Sequence, residues 1–248
     1  MVNIMNNSFL ALTLTLISGL STLLGGMIIY YKKNEKTLAY SLVFSAGVML
    51  TVSFFDLIVE SYKYLNEFYF PFPALLLVGI FFSFGVIISF TIDKYISSDN
   101  EIYKVGLISL IAIILHNIPE GMATFIASDN NISLGITLTI AIALHNIPEG
   151  ITIALPIFYA TNRHKKAIIY TLIAGLSEFL GGIVTFLFLK PYINFKVMGY
   201  LLALIAGIMT QISLYELIPQ AKKILDTKKL ILPFLAGFII MLTTIFVL

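Results

Sequence analysis

The stretch LHNIPEGMATFIASDNNISLGITLTIAIALHNIPEG, residues 115–150, decides how this chain folds. It carries one hexapeptide twice, HNIPEG at 116–121 and again at 145–150, with the polar break SDNN between two apolar runs. Those runs extend outward over residues 102–128 and 132–159. Each is long enough for a hydrocarbon core of about 30 Å, which takes about 20 residues of helix. Two neighbouring membrane-crossing helices are predicted, with ionisable groups near their centres.

Walking outward between the polar clusters gives six further segments of the same kind: residues 8–31, 37–62 and 72–91 before the pair, and 165–189, 197–219 and 230–248 after it. The predicted fold class is an all-α integral membrane protein of eight transmembrane helices, read as a single domain over residues 1–248. Composition agrees: 59% of the 248 residues are hydrophobic and 11% charged, with a mean hydropathy of +0.98. Soluble domains run at roughly half apolar and about a quarter charged. The formal charge of +2 supplies neither the basic surplus for nucleic acid nor an acidic tail. With no cysteine, disulfides, thiolate metal sites and cysteine nucleophiles are excluded. A metal here has imidazole, carboxylate, amide and thioether groups to draw on. The first segment lacks a basic leader and a small-residue cleavage site, so it reads as a retained helix.

Positively charged connections stay on the cytoplasmic side. One set of alternating connections holds Lys32, Lys33, Lys36, Lys94, Lys104, Arg163, Lys165, Lys166, Lys222, Lys223, Lys228 and Lys229, which is 12 of the 15 basic residues. The other set holds only Lys63, Lys190 and Lys196. Odd-numbered connections are therefore expected inside and both termini outside. His164, among Arg163, Lys165 and Lys166, is expected in a solvated cytoplasmic loop.

The flanking segments echo one another. LISGLSTLLGGM at 16–27 matches LIAGLSEFLGGI at 172–183, and SAGVMLTVSFFDLI at 45–58 matches IAGIMTQISLYELI at 205–218. Segments three and eight share only an opening Pro73 and Pro233. Helices 1–3 and 6–8 thus form an inverted repeat around the central helix 4–5 pair, a design suited to alternating access.

The chemistry concentrates in that pair. His116 and Glu120 are four apart, as are His145 and Glu149, so each couple shares a helix face and can grip an ion. Asn117 with Glu120, and Asn146 with Glu149, are three apart and also share a face. Pro119 and Pro148 free the carbonyls of Leu115 and Leu144 beside them. Met49 and Glu178 fall at the same depth in their own segments. An ionised group at the bilayer centre costs about 2.5–3.5 kcal/mol on insertion scales. Asp56, Glu120, Glu149, Glu178 and Glu216 are five acids inside the segments, not all of them at the centre, and the sequence offers them too few cationic partners. Divalent metal is the natural counter-ion, and mixed nitrogen and oxygen donors suit Zn²⁺, Fe²⁺, Mn²⁺ and Co²⁺ better than Ca²⁺ or Mg²⁺. Core packing for Met49 and a helix-to-helix hydrogen bond for Glu178 are the alternatives. Asp56, toward the outer end of segment two, and Tyr215 and Glu216, toward the inner end of segment seven, are placed to line an entrance and an exit; interfacial anchoring serves Tyr215 nearly as well.

HNIPEG in two adjacent segments, followed by SEFLGG in the next, resembles the ZIP (Zrt/Irt-like) metal transporters and, within them, the bacterial ZupT-type branch. The likeness covers essentially the whole chain. It implies uptake of divalent metal through a binuclear centre on helices four and five. One site would use His116, Glu120, His145 and Glu149 with Met49, and the other Asn117, Glu120, Asn146, Glu149 and Glu178. It further implies a bundle of helices one, four, five and six moving against two, three, seven and eight. Many relatives carry a histidine-rich loop between helices three and four; residues 92–104 contain no histidine, so sensing by that loop is not expected. Some relatives vary the first two positions of the second motif, and their identity here agrees with broad selectivity among Zn²⁺, Fe²⁺, Mn²⁺, Co²⁺ and Cd²⁺. The expected protein is a transporter of the cell membrane, the inner one in a Gram-negative cell, with metal as cargo, no cofactor, a lipid surround and a homodimer allowed. An exporter is the alternative reading. An intramembrane metalloenzyme fits less well, because HNIPE lacks the second histidine of HExxH and leaves the repeat unexplained.

Overall fold

The computed structural model describes residues 2–31, 34–190, 192 and 194–247. Lys32, Lys33 and Leu248, which the sequence places in the first inner connection and at the end of segment eight, lie outside the described residues. Among the described residues there is no strand. Eight helices are long and apolar enough to cross a membrane: α1 (Asn7–Tyr30), α2 (Glu35–Asn66), α3 (Pro71–Tyr95), α4 (Glu101–Asn130), α5 (Ile132–Thr161), α6 (His164–Leu189), α7 (Phe195–Ile224) and α8 (Thr227–Val247).

Each expected segment is present, and most run longer than an apolar count suggests. Asn34, Asn100, Asn131 and Asn194 precede α2, α4, α5 and α7, and each side chain accepts a hydrogen bond from a backbone N–H in the first turn. A short polar acceptor at that position satisfies a donor the helix cannot. At their other ends α2 and α7 continue past the expected 62 and 219, because polar residues in the interface continue a helix that an apolar count stops. His164, expected in a loop, is the first residue of α6; its ring stacks on Tyr30 at 5.3 Å and packs against Phe158.

Two helices carry the same irregularity. A π-helical turn spans Ser53–Leu57 in α2 and another spans Ser213–Leu217 in α7. These are SFFDL and SLYEL, the matched ends of the two repeats. Such turns insert one extra residue and re-aim the side chains that follow; here they carry Asp56 and Glu216. A third π-turn, Thr185–Leu189, ends α6, whereas α1 ends in a 3-10 turn, Met27–Tyr30.

The helices pack as two groups. α1, α4, α5 and α6 pack on one another; α2 packs on α8 and on the end of α7, and α3 on α7. Glycine sets the closest approaches, as small residues do between membrane helices. A Cβ on Gly25 would overlap the carbonyl oxygen of Ile147 in α5, and one on Gly150 would overlap that of Thr22 in α1. The mirror exchange joins α6 to α4, Gly181 against Ile118 and Gly121 against Glu178. Gly47 and Gly237 likewise join α2 to α8, and Gly207 and Gly85 join α7 to α3. Each of these glycine contacts in the first half thus has a counterpart in the second.

Between the groups runs a seam, α2 against α5 and α7 against α4. Few polar bonds cross it. Ser45 Oγ donates to the Pro148 carbonyl at 2.9 Å, and the Asn34 N–H donates to the Tyr159 hydroxyl. Lys104 pairs with Asp93 and Lys223 with Glu101, each at 2.6 Å. Those two ion pairs tie the first turn of α4 to α3 and α7. The lipid-facing members are α3 and α8, only 17% buried over their most apolar windows against 72% for α7.

Candidate metal centre

α4 and α5 pass through Pro119 and Pro148 as continuous helices and place their hexapeptides side by side. Spacing alone put His116 with Glu120 and His145 with Glu149. The structure pairs them across the helices instead: His116 Nε2 lies 3.0 Å from Glu149 Oε1, and His145 Nε2 lies 3.3 Å from Glu120 Oε1. The reason is geometric. An i,i+4 spacing fixes which face a residue shares, while the closest partner is set by the facing helix. The first contact is a hydrogen bond; the second is within ion-pair reach without hydrogen-bond alignment.

The two asparagines are held in matching ways. Asn117 Nδ2 donates to the Ala174 carbonyl of α6 at 3.0 Å, and Asn146 Nδ2 to the Ser18 carbonyl of α1 at 3.0 Å. Their Oδ1 atoms have no partner, and neither do His116 Nδ1, both ring nitrogens of His145 as hydrogen-bonding groups, nor Oε2 of Glu120 and of Glu149. Buried polar atoms without partners are rare and each needs a cause. Here they are nitrogen and carboxyl or amide oxygen on six side chains of two facing motifs, the donor set of a borderline transition metal. Among the described residues no three His, Asp or Glu side chains converge on a point that would hold an ion.

Glu178 stands differently. Its Oε1 accepts from the Ser18 hydroxyl and its Oε2 from Asn146 Nδ2 at 2.7 Å, so it makes the helix-to-helix bonds that its sequence context allowed. Met49 is buried in the core of α2, one turn from the Ser45 contact to Pro148.

A cavity of about 400 Å³ reaches the centre from one end of the molecule. Its floor includes Glu120 and His145, and its wall carries Asp56, Glu60 and Tyr64 of α2, Asn130 of α4 and Asn194 at the start of α7. Glu120 and His145 each keep 3% exposure, whereas His116 and Glu149 have none. One crossed pair therefore faces the cavity and the other is sealed behind it. Asp56, expected toward the outer end of its segment, lines this cavity. Glu216 lies near Asp93, Lys104 and Lys223, and the two lysines pair with Asp93 and Glu101. Tyr215 is 58% exposed with its ring edge on Phe90, on the lipid side and away from the cavity. Glu60, Asn194 and Ser18 are contributors that sequence reading missed. Glu60 was legible, four residues after Asp56 on the same face; Ser18 was visible only as a repeat position opposite Ala174.

A sequence profile of the family described as "ZIP Zinc transporter" matches residues 96–244. The chain is 39% identical over 242 residues to the zinc transporter ZupT of Oceanobacillus iheyensis, covering 88% of this chain and 90% of that protein. It is 40% identical over 258 residues to the zinc transporter ZupT of Chlorobium phaeovibrioides, covering 96% and 97%. It is 35% identical over 271 residues to that of Clostridium perfringens, covering 96% and 95%.

Proposed function

The chain belongs to the ZIP zinc transporter family, and we propose that it imports divalent transition metals across the cell membrane through one transport domain spanning residues 1–248. Zinc as cargo is supported by the names of the relatives. The mixed nitrogen and oxygen donors support Fe²⁺, Mn²⁺, Co²⁺ and Cd²⁺ besides. In a cell with two membranes, the inner one is the expected location. The observation that carries the reading is the pair of crossed His–Glu contacts, one at the floor of a cavity and its twin sealed behind.

An ion descending the cavity meets Asp56 and Glu60, sheds water against their carboxylates, and reaches His145 and Glu120. Metal ligation needs neutral imidazole and ionised carboxylate, so binding releases protons. At the inner pair the ion replaces the proton that His116 shares with Glu149; at the cavity floor it enters between His145 and Glu120. Glu120 and Glu149 each keep a second oxygen without a partner, which lets them bridge to a second ion with Asn117 and Asn146; Met49 flanks the first site and Glu178 the second. The bias of Lys and Arg toward the odd-numbered connections supports a cavity mouth on the outside, and hence import.

Purified protein in liposomes is expected to take up Zn²⁺, and His116→Ala or Glu120→Ala to abolish that uptake. Undiminished uptake in both would overturn the site. Metal-starved cells expressing the protein should gain metal; increased tolerance of toxic metal without such gain would reverse the direction.

A further inference from the structure

The two halves of the centre carry one hexapeptide each, but their supports differ. Asn146 uses both N–H groups of its amide, one on the Ser18 carbonyl and one on Glu178 Oε2. Turning that amide over would set its oxygen against two acceptors, so its orientation is locked. Asn117 makes only one such bond, to the Ala174 carbonyl. At the matched repeat positions Ala174 has no hydroxyl where Ser18 has one, and Thr22, whose hydroxyl has no partner, stands where the other half has Glu178. Glu178 also differs from Glu120 and Glu149: both of its oxygens are engaged by donors, while each of theirs has one free. The contact depends on a close approach of α1 and α6. A Cβ on Gly19 or Gly175 would overlap the other's carbonyl oxygen, and this tightness brings the Ser18 hydroxyl to Glu178.

We propose that Ser18 is a positioning residue of the metal centre, fixing Glu178 with its hydroxyl and Asn146 with its carbonyl, so that Asn146 Oδ1 is presented as a rigid ligand on one half only. The proposal rests on the metal-transport reading above. Glu178, besides flanking the second site, then also orients Asn146, and for that part its oxygen as an acceptor matters more than its charge. The two ions are held unequally despite identical motifs, with the Asn146 half preorganised and the Asn117 half free to adapt.

The test is Zn²⁺ uptake by the full chain in liposomes loaded with a fluorescent zinc indicator, read as KM and maximal rate. Ser18→Ala removes one hydrogen bond and is expected to raise KM about 3- to 10-fold, with the maximal rate kept within about twofold. Glu178→Ala should impair uptake. Glu178→Gln keeps an oxygen for Asn146 and an N–H for Ser18, and is expected to recover most of that loss. A wild-type KM in Ser18→Ala, or Glu178→Gln as impaired as Glu178→Ala, would overturn the proposal. Should Ser18→Ala fail to elute as a single species, the two Glu178 variants decide alone. His116→Ala, run alongside, separates the failures. Uptake surviving it removes the metal centre itself, while its loss beside an unchanged Ser18→Ala removes only the positioning role.

Discussion

Gly121 and Gly150 close the two hexapeptides for a reason of space. Each lies against a backbone carbonyl, of Glu178 and of Thr22, at a distance that leaves no room for a Cβ. Overpacking a tight contact costs about 1–3 kcal/mol, and a backbone cannot swing aside as a side chain can. Gly150→Ala is expected to lower the melting temperature in detergent by about 2–12 °C, read by differential scanning fluorimetry, and to reduce uptake with it. Here the sequence speaks unevenly. The spacing of His116, Asn117 and Glu120 announces a shared face, and the repeated motif announces a second copy. That His116 pairs with Glu149 rather than Glu120, or that Ser18 meets Glu178, depends on how two helices are rotated against each other, and no spacing within one helix carries that.

At the scale of the helix, the π-turns in α2 and α7 are the decisive irregularities. Each carries a carboxylate, Asp56 in one and Glu216 in the other, and they fall at matched repeat positions. Asp56 faces the cavity with Glu60 and the floor pair. Asp56→Asn keeps size and hydrogen bonding but removes the charge that gathers cations, so KM for Zn²⁺ should rise several-fold while the maximal rate changes less, measured in the liposome assay. Equal loss in both parameters would point to a part in the translocation step itself. The repeat that carries these turns was legible as SFFDL against SLYEL, but the turns were not. A π-turn follows from how a helix settles between its neighbours, and the residues themselves are ordinary helix formers. The helix ends were misjudged for a simpler reason: asparagine caps and interfacial lysines are polar, and they extend α2, α4 and α7 beyond the apolar runs.

Over the whole molecule, the orientation can be read directly, because the chain has no cysteine and any introduced thiol is unique. Ala123→Cys, on the cavity wall, should react with a membrane-impermeant maleimide on intact cells and be protected by Zn²⁺. Ser97→Cys, in the exposed connection between α3 and α4, should react only after the membrane is opened. The reverse pattern would turn the protein over and with it the direction of transport. The seam holds a consequence of another kind. On the side away from the cavity mouth, the two helix groups are tied by Lys104 with Asp93 and Lys223 with Glu101, and the second pair is well exposed. Pairs of this sort contribute about 0–1 kcal/mol and weaken over a screening length of about 8 Å at physiological ionic strength. Beside the neutral bond of Asn34 to Tyr159, the tie between the two groups thus includes two interactions that dissolved ions can loosen. Potassium chloride raised on the face that carries these pairs should quicken turnover, while the same addition to the opposite face, where no such pair spans the seam among the described residues, should leave it unchanged. The ionic composition on one side of the membrane would then set the pace of a protein whose cargo is itself an ion.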